Sequence, residues 1–334
     1  MDRDTQLRGF YCDKNVLVTG GAGAIGSNLT QKLVSLGARV AVLDDLSSGY
    51  MESLSPVEDQ IQFIRGDIAG FESLSGQLSQ KVDLVFHLAA FFANQNSVEF
   101  PERDLATNGV GTLQLCRWAA DAEVRRLVFS SSSCVYGSAS GEIDEETALD
   151  PHTPYAITKV LGEQYVAFHH KHCGLDTAIL RYFNSYGPGE FPGMYRNVIP
   201  NFIDRARNGE ALPLTGDGME TRDFTFVEDT VHGTLLAGMV PEAVGGVFNI
   251  GTGRETKIGD LANLVNEFAN NPAGCEYHPR RDWDRIDRRL ACVDRAREVL
   301  GYEPTHSLRE GVAQTYAWSE RMISLREKNK VSAG

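Results

Sequence analysis

The feature that most constrains the fold is a glycine-rich loop between a short apolar run and a helical pattern. Residues 15–19 (NVLVT) are apolar and β-branched, which is typical of a buried parallel strand. The segment TGGAGAIGSNL follows at once, and leucines then recur at helical spacing. Glycines allow a tight turn and let the main chain approach a pyrophosphate at the positive end of a helix. The loop therefore predicts a dinucleotide site, with contacts from Gly20, Gly23, Ala24, Ile25 and Gly26.

Alternation of strand-like and helical segments continues over the first half of the chain. It predicts an α/β fold with a doubly wound parallel sheet, the Rossmann arrangement. Ligands of such sheets bind outside the carboxyl ends of the strands. The predicted strands are 15–19, 39–43, 61–64, 84–88, 127–129 and 178–182. The residues expected to meet the cofactor after the third and fourth strands are Asp67, Ile68, Leu88, Ala89 and Ala90.

Two acidic residues, Asp44 and Asp45, follow the second predicted strand about 20 residues beyond the glycines. A carboxylate at this place suits the ribose hydroxyls of NAD and repels the 2′-phosphate of NADP. Asp44 is the better candidate because it directly follows the strand. The pair predicts NAD as the cofactor.

Tyr155 and Lys159 stand four residues apart in a segment with a helical pattern, so their side chains share one face. An ammonium beside a phenol favours the phenolate, and we expect it to pull the pKa of Tyr155 below its ordinary value of about 10. The hydroxyls of residues 130–133 come just after an apolar run, where a sheet would present them at its edge. The stretch 129–159 thus predicts a catalytic base with hydroxyl groups beside it.

Composition narrows the classes of partner. The formal net charge is −13, which argues against nucleic acid or an anionic membrane as the main partner. The N-terminus lacks the apolar core of a signal peptide, and no apolar run approaches the ~18 residues of a membrane span. The six cysteines show no ligand-like spacing. We expect a cytoplasmic enzyme without a metal.

The amino-acid composition changes after Asn184, where a loop rich in glycine, proline and aromatic residues begins. One more strand-like run, 246–251, is expected to rejoin the first sheet. We predict a NAD-binding domain from 1–190 and 228–258, and a smaller C-terminal α/β substrate lobe from 191–227 and 259–325. Residues 326–334 are predicted to be a disordered tail.

Taken together, these motifs resemble the extended short-chain dehydrogenase/reductase family, in its nucleotide-sugar epimerase/dehydratase branch, over almost the whole chain. The resemblance implies that Tyr155 is the catalytic base, that Lys159 lowers its pKa and binds the nicotinamide ribose, and that Ser132 binds the reacting sugar oxygen. It extends the cofactor contacts to both Tyr155 and Lys159. The markers are TGGAGAIG, GDI (66–68), HLAA (87–90), SSSSCVYG, PYAITK, RYFNSYGPG, TRDFTFVED and GYEP (301–304). Further cofactor contacts implied by it are Asn108, Ser130 and Tyr182.

The resemblance also implies a nucleotide-sugar substrate. Arginines would grip its diphosphate, since their paired donors match phosphate oxygens, and an aspartate would contact the uridine ribose. The positions matched are Ser133, Asn184, Asn197, Val198, Arg222, Arg281 and Asp284.

The catalytic stretch lacks carboxylates at positions 133 and 134, and this absence favours some reactions of the family over others. The 4,6-dehydratases carry an Asp–Glu pair where this chain has Ser133 and Cys134, and the glucuronate decarboxylases carry a glutamate at the place of Cys134. Without these carboxylates the lyase reactions are disfavoured. The expected reaction is inversion at C4 of a UDP-hexose, of the UDP-glucose/UDP-galactose type. Dehydration, decarboxylation, 3,5-epimerisation and uronate 4-epimerisation remain as alternatives.

Three further expectations come from the resemblance. Cys134 coincides with an acid/base cysteine of 3,5-epimerases, but is more readily explained as a packed thiol. Arg289 or a neighbour falls where a bulky residue gates acetamido sugars, so tolerance of an acetamido group stays open. A homodimer is expected through the helices that contain 104–120 and 154–171.

Overall fold

A computed structural model describes residues 3–92, 94–280 and 286–332. Its main sheet has seven parallel strands in the order β12-β7-β5-β4-β1-β2-β3, so the order reverses direction between β1 and β4. Loops that leave β1 and β4 diverge there and open the crevice in which such sheets bind ligands. The strands are β1 (Asn15–Thr19), β2 (Arg39–Asp44), β3 (Ile61–Arg65), β4 (Leu84–His87), β5 (Arg126–Ser132), β7 (Thr177–Tyr182) and β12 (Val247–Ile250).

The main sheet is covered on both faces, which explains why its strands are apolar throughout. Val16 and Val18 of β1 point into one core, whereas Leu17 between them points into the other. The predicted doubly wound sheet is confirmed, including the late strand that rejoins it beside β7. Several boundaries differ from the predicted ones by one residue, and the largest difference is in β5, which continues to Ser132 because residues 130–132 pair with 180–182 of β7. Three of the four serines therefore lie within the strand.

Smaller sheets build the second lobe. Four strands pair in the order β13-β10-β15-β6, and two further pairs join β11 to β8 and β14 to β9. β6 comes from the segment predicted to belong wholly to the first domain, yet it pairs with β15. The division into two domains stays a prediction. β6 pairs within the predicted substrate lobe, although its residues were assigned to the NAD-binding domain. The strands are β6 (Gly141–Ile143), β8 (Ser185–Tyr186), β9 (Leu212–Thr215), β10 (Thr221–Arg222), β11 (Thr225–Phe226), β13 (Thr256–Lys257), β14 (Cys275–His278) and β15 (Arg288–Ala291).

Helices pack on both faces of the main sheet. Between α5 and α6 the chain forms a π-helix, Leu105–Gly111, which is called the π-helix below. This rare form is frequent at functional sites. The last helix, Leu308–Ser332, includes residues 326–332 of the segment predicted to be a disordered tail, and the disorder of that tail stays a prediction. The helices are α1 (Arg3–Tyr11), α2 (Ala24–Ser35), α3 (Phe71–Leu74), α4 (Asn94–Glu99), α5 (Pro101–Asp104), α6 (Thr112–Asp121), α7 (Pro154–Cys173), α8 (Val198–Arg207), α9 (Val227–Met239), α10 (Ile258–Ala269) and α11 (Leu308–Ser332).

Candidate active site

The glycine loop connects β1 to α2 at the point where the strand order reverses. Gly20 has a positive φ of 70°, and a Cβ there would lie 2.6 Å from the main-chain nitrogen of Ala89. A Cβ on Gly26 would overlap the carbonyl of Gly20. Gly23 caps α2 without any side-chain hydrogen bond, which leaves the first N–H groups of the helix, at Ala24 and Ile25, for an anion. This cradle fits the pyrophosphate of a dinucleotide.

Asp44 and Asp45 take different places at the end of β2. Asp44 is buried, and its two oxygens accept the N–H groups of Ala22 (2.9 Å) and Leu46 (2.8 Å), so it ties the glycine loop to the end of β2. Burial raises the pKa of Asp44, and the two main-chain hydrogen bonds oppose that rise. Asp45 accepts the N–H of Ser47 and lies 3.8 Å from Arg103. Both carboxylates are at the predicted ribose position, and their contact with a ribose stays a prediction.

The remaining predicted cofactor residues line the same crevice. Asn108, on the π-helix, holds the loop after β4 from both sides: its Oδ1 accepts the N–H of Phe91 (2.8 Å), and its Nδ2 donates to the carbonyl of the same residue (3.3 Å). Ala89 donates its N–H to Thr19. Asp67, Ile68, Leu88 and Ala90 follow β3 and β4, and Tyr182 ends β7, whereas Ser130 lies within β5, two residues before its end.

Ser132, Tyr155 and Lys159 meet where β5 ends and α7 begins. Ser132 is the last residue of β5, and its Oγ accepts the N–H of Cys134 (3.2 Å) and is hydrogen-bonded with Tyr155. Lys159 donates to the carbonyl of Ser130 (2.8 Å), and its Nζ lies 5.7 Å from the centre of the Tyr155 ring. The structure therefore brings together the three side chains that the sequence predicted as the catalytic group.

One electrostatic expectation is wrong for this arrangement. Burial raises the pKa of Tyr155, and the nearby Cys134 and Asp104 raise it further, while the hydrogen bond with Ser132 lowers it. Burial also lowers the pKa of Lys159 to about 8, against the effect of the Asp104 and Glu163 carboxylates. The predicted depression of the tyrosine pKa fails because burial of the phenol has the largest effect and Lys159 is not among the groups that shift this pKa.

Asp104 is a buried residue that sequence reasoning missed. Its Oδ2 accepts from Thr158 Oγ1 (2.5 Å) and its Oδ1 from Asn108 Nδ2 (2.8 Å), and the side chain is fully buried. It links the π-helix to α7 beside Lys159. The spacing of Asp104 and Asn108, four residues apart in a helical segment, was the available signal.

A buried ion pair underlies the catalytic group. Arg181 of β7 donates through Nε (2.9 Å) and Nη2 (2.7 Å) to both oxygens of Glu163, four residues beyond Lys159 on α7. Ser131 donates to the same carboxylate (2.5 Å), and Arg181 Nη1 donates to the hydroxyl of Tyr136 (2.9 Å). These bonds fix β5, α7 and the turn after Ser132 relative to one another. Sequence reasoning did not find this pair, because its members are 18 residues apart on different elements.

Both ring nitrogens of His87 are hydrogen-bonded within the fold, which indicates a structural role. One ring nitrogen is hydrogen-bonded to Thr19 (2.7 Å) and the other to Thr112 (2.9 Å), and the ring is fully buried. Burial lowers the pKa of His87 to about 3, so the imidazole is neutral. It connects the ends of β1 and β4 to α6.

Polar side chains of the substrate lobe face the carboxyl end of β7. Asn184 adopts a positive φ of 32° and donates to the carbonyl of Asp223 (2.9 Å), which joins β7 to the segment of Arg222. Arg222 donates to the carbonyls of Thr221 and Ile286. Asn197 precedes α8, whose first residue is Val198, and its Nδ2 donates to the buried Glu190 (2.9 Å).

Two of the predicted substrate residues, Arg281 and Asp284, lie outside the described residues. Ser133 is buried at the start of the short helical turn that ends at Tyr136. As ligand contacts, all of the substrate residues stay predictions. Among the described residues, no group of three or more His, Cys, Asp or Glu side chains is arranged to hold a metal ion. Within the same residues, no helix has the length and apolar character required to cross a membrane.

Comparison with known proteins agrees with this geometry. A family profile described as the NAD dependent epimerase/dehydratase family matches residues 16–251. The UDP-glucose 4-epimerase of Mycolicibacterium smegmatis is 39% identical over 304 residues, which cover 90% of this chain and 96% of that protein.

Solved structures superpose closely. An epimerase of Methanothermobacter thermautotrophicus matches with a TM-score of 0.94 and 47% identity, covering 98% of this chain and 97% of that one. A UDP-glucose 4-epimerase of Thermotoga maritima, solved with UDP-glucose, matches with a TM-score of 0.88 and 35% identity, covering 92% and 99%. Other similar proteins carry the names of a decarboxylase, a uronate epimerase and a dehydratase. The matches therefore identify a family and leave the substrate open.

Proposed function

This chain belongs to the NAD dependent epimerase/dehydratase family and uses NAD as its cofactor, and from that premise we propose that it is a UDP-hexose 4-epimerase. The reaction inverts C4 of a sugar of the UDP-glucose/UDP-galactose type through a transient 4-keto sugar. NAD, when bound, supplies the acceptor and then the donor of the C4 hydride, so none is consumed. The 4-epimerases among the similar proteins support this choice.

The observation that carries the proposal is the set of groups around Tyr155. Those that influence its ionisation are Ser132, Cys134 and Asp104. The only carboxylate in that set, Asp104, is fully buried, and Thr158 and Asn108 occupy its two oxygens. A lyase needs a carboxylic acid or an equivalent group beside the sugar to expel water or carbon dioxide, and this set contains none that faces the crevice. A base and an orienting hydroxyl are sufficient for 4-epimerisation.

The side chains divide the proton transfer between them. Tyr155 accepts the proton of the C4 hydroxyl. Ser132 orients that oxygen, since its Oγ is fixed by the N–H of Cys134 and is hydrogen-bonded with Tyr155. Lys159 supports the phenolate as its ammonium form, held towards β5 by the carbonyl of Ser130. Tyr155 returns the proton when C4 is reduced. Arg222, Asn197 and the start of α8 hold the diphosphate while the keto sugar turns over.

The test is turnover of UDP-glucose in deuterium oxide, followed by NMR. Epimerisation by hydride return yields UDP-galactose whose carbon-bound hydrogens all come from the substrate. Deuterium at C3 or C5 would instead reveal abstraction of a proton beside the carbonyl and would refute simple 4-epimerisation. Loss of water or carbon dioxide from the sugar would identify a lyase.

We also propose that two copies of the chain pair through one apolar face. Large apolar side chains about half exposed to solvent lie on the π-helix 105–111 and α7, which belong to the helices expected to form the interface, and on the neighbouring segment 98–100. Light scattering should report a dimer, and Phe168→Glu should shift it to monomer. A wild-type monomer at micromolar concentration would refute the pairing. The side chains of this face are Val98, Phe100, Leu105, Val110, Ile157 and Phe168.

A further inference from the structure

Arg289 of β15 is a buried cation with little to neutralise it. Only 6% of the residue is exposed. One Nη2–H donates to the carbonyl of Gly137, while Nε has no hydrogen-bond partner. Among the described residues, no carboxylate lies within ion-pair distance of its guanidinium. A buried charge in this condition is unfavourable until an anion reaches it.

Arg126, a buried arginine of the same chain, has its charge balanced by main-chain carbonyls and by the nearby Asp176. Its Nε also lacks a partner, but its Nη1 donates to three carbonyls, of Ala237, Gly238 and Val240, at the end of α9. The C-terminal end of a helix carries partial negative charge that balances a cation. Within the part of the chain that the structure describes, Arg289 donates to one carbonyl and meets no helix end.

The contact with Gly137 places Arg289 beside the catalytic stretch. Gly137 directly follows the turn that begins after Ser132. The Cβ position of Gly137 is filled by the carbonyl of Asp150 and the ring of His152, three residues before Tyr155. The guanidinium therefore lies against the turn that joins the two halves of the catalytic group. In the sheet, Arg289 is the register partner of Arg222, so the two side chains leave the same face.

We propose that Arg289 binds the carboxylate of an acidic sugar, and that the preferred substrates are UDP-hexuronates. This proposal rests on the C4 inversion of the proposed function, and changes its preferred substrate from a neutral hexose to a hexuronate. The C6 carboxylate of a hexuronate is attached to C5, the neighbour of the reacting C4, so its binding group must lie near the catalytic turn. The diphosphate is farther along the substrate and has Arg222 and the start of α8. A guanidinium edge with a free Nε matches a carboxylate in two parallel hydrogen bonds.

The experiment measures binding of UDP-glucuronate, UDP-glucose and UDP to the NAD-loaded protein by calorimetry. We expect the wild type to bind UDP-glucuronate about ten-fold or more tightly than UDP-glucose, as one charge-assisted pair would give. Arg289→Met should lose that preference and keep its affinity for UDP and UDP-glucose within about two-fold. Arg288→Met is the matched control, because Arg288 is exposed and paired with Glu255. It should leave all three affinities unchanged.

Several results would overturn the assignment. They are equal affinity of the wild type for uronate and hexose, an unchanged preference in Arg289→Met, or an equal loss for all three ligands, which would indicate a diphosphate contact or a structural role. Arg289→Lys keeps the charge and should retain part of the preference, so it replaces the methionine variant if that protein does not fold by circular dichroism. Binding does not require turnover. If uronate binds through Arg289 and is not inverted at C4, the proposed function fails while this proposal stands.

Discussion

Two buried arginines donate hydrogen bonds to neighbouring residues of the turn after Ser132, and they differ in which groups balance their charge. Arg181 donates to the hydroxyl of Tyr136, and Arg289 donates to the carbonyl of the next residue, Gly137. Both are almost fully buried. Arg181 has both oxygens of Glu163, whereas Arg289 has no carboxylate partner among the described residues.

The presence or absence of a carboxylate partner indicates whether a buried arginine stabilises the fold or is available to bind a ligand. A buried charge with a counter-charge in the same chain holds the neighbouring elements in place whether or not a ligand is bound. The Arg181–Glu163 pair does this for the elements that carry Tyr155 and Lys159. A buried charge that is not matched is stabilised when a ligand of opposite charge arrives. The catalytic half of the site is therefore complete without substrate, and the substrate half is not.

The strongest test of the catalytic half is Tyr155→Phe. Without the phenol no base can take the C4 proton, and we expect turnover to fall by about 10³-fold or more. NAD content and thermal stability should stay close to wild type, since the ring remains packed edge-on against Phe92. Tyr165→Phe, on the same helix, is the control and should be fully active. Activity within ten-fold of wild type in Tyr155→Phe would exclude this residue as the base.

Breaking the matched pair should cost stability. Glu163→Gln leaves the guanidinium of Arg181 buried without a counter-charge, and we expect the free energy of unfolding to fall by about 3–5 kcal/mol in urea titrations. Glu255→Gln removes the partner of the exposed Arg288 and should cost less than about 1 kcal/mol. Equal losses in the two variants would mean that the Arg181–Glu163 pair is no more important than a surface pair.

The pH dependence of kcat/KM should reveal Lys159. Burial lowers its pKa to about 8, so raising the pH through this value removes the ammonium and activity should decline there. The charge of Asp104 raises the pKa of Lys159. Asp104→Asn should therefore move the declining limb to lower pH, by about one unit or less. A limb that stays in place would show that Lys159 is not the group that titrates.

Sequence patterns predicted the frame of the molecule well. The strands of the main sheet are buried on both faces, so their apolar runs stand out between glycines and helical segments, and the order of motifs located Ser132, Tyr155 and Lys159. The pKa of Tyr155 could not be predicted in the same way. A four-residue spacing shows that a cation is near, but it does not show how deeply the phenol and the cation are buried.

The two arginines show a second limit. Arg181 and Glu163 lie on different elements, and only the packing of α7 on the sheet brings them together. Arg289 depends on the pairing of β15 with β6, a strand from the segment assigned to the other domain. No local pattern marks which arginine has a carboxylate partner. The sequence therefore left Arg289 among several candidates near the sugar.

The smallest expected effect is that of Arg289→Met on the free energy of unfolding. Arg289→Met replaces an unmatched buried cation by an apolar side chain of similar length. The variant loses the hydrogen bond to Gly137, which lowers its stability. It also no longer has to bury a guanidinium, which raises its stability, so the two contributions oppose each other. We expect the free energy of unfolding without sugar-nucleotide to stay within about 1 kcal/mol of wild type, in contrast to Glu163→Gln. A loss of about 3 kcal/mol or more would show that Arg289, like Arg181, is matched within the chain and holds the fold.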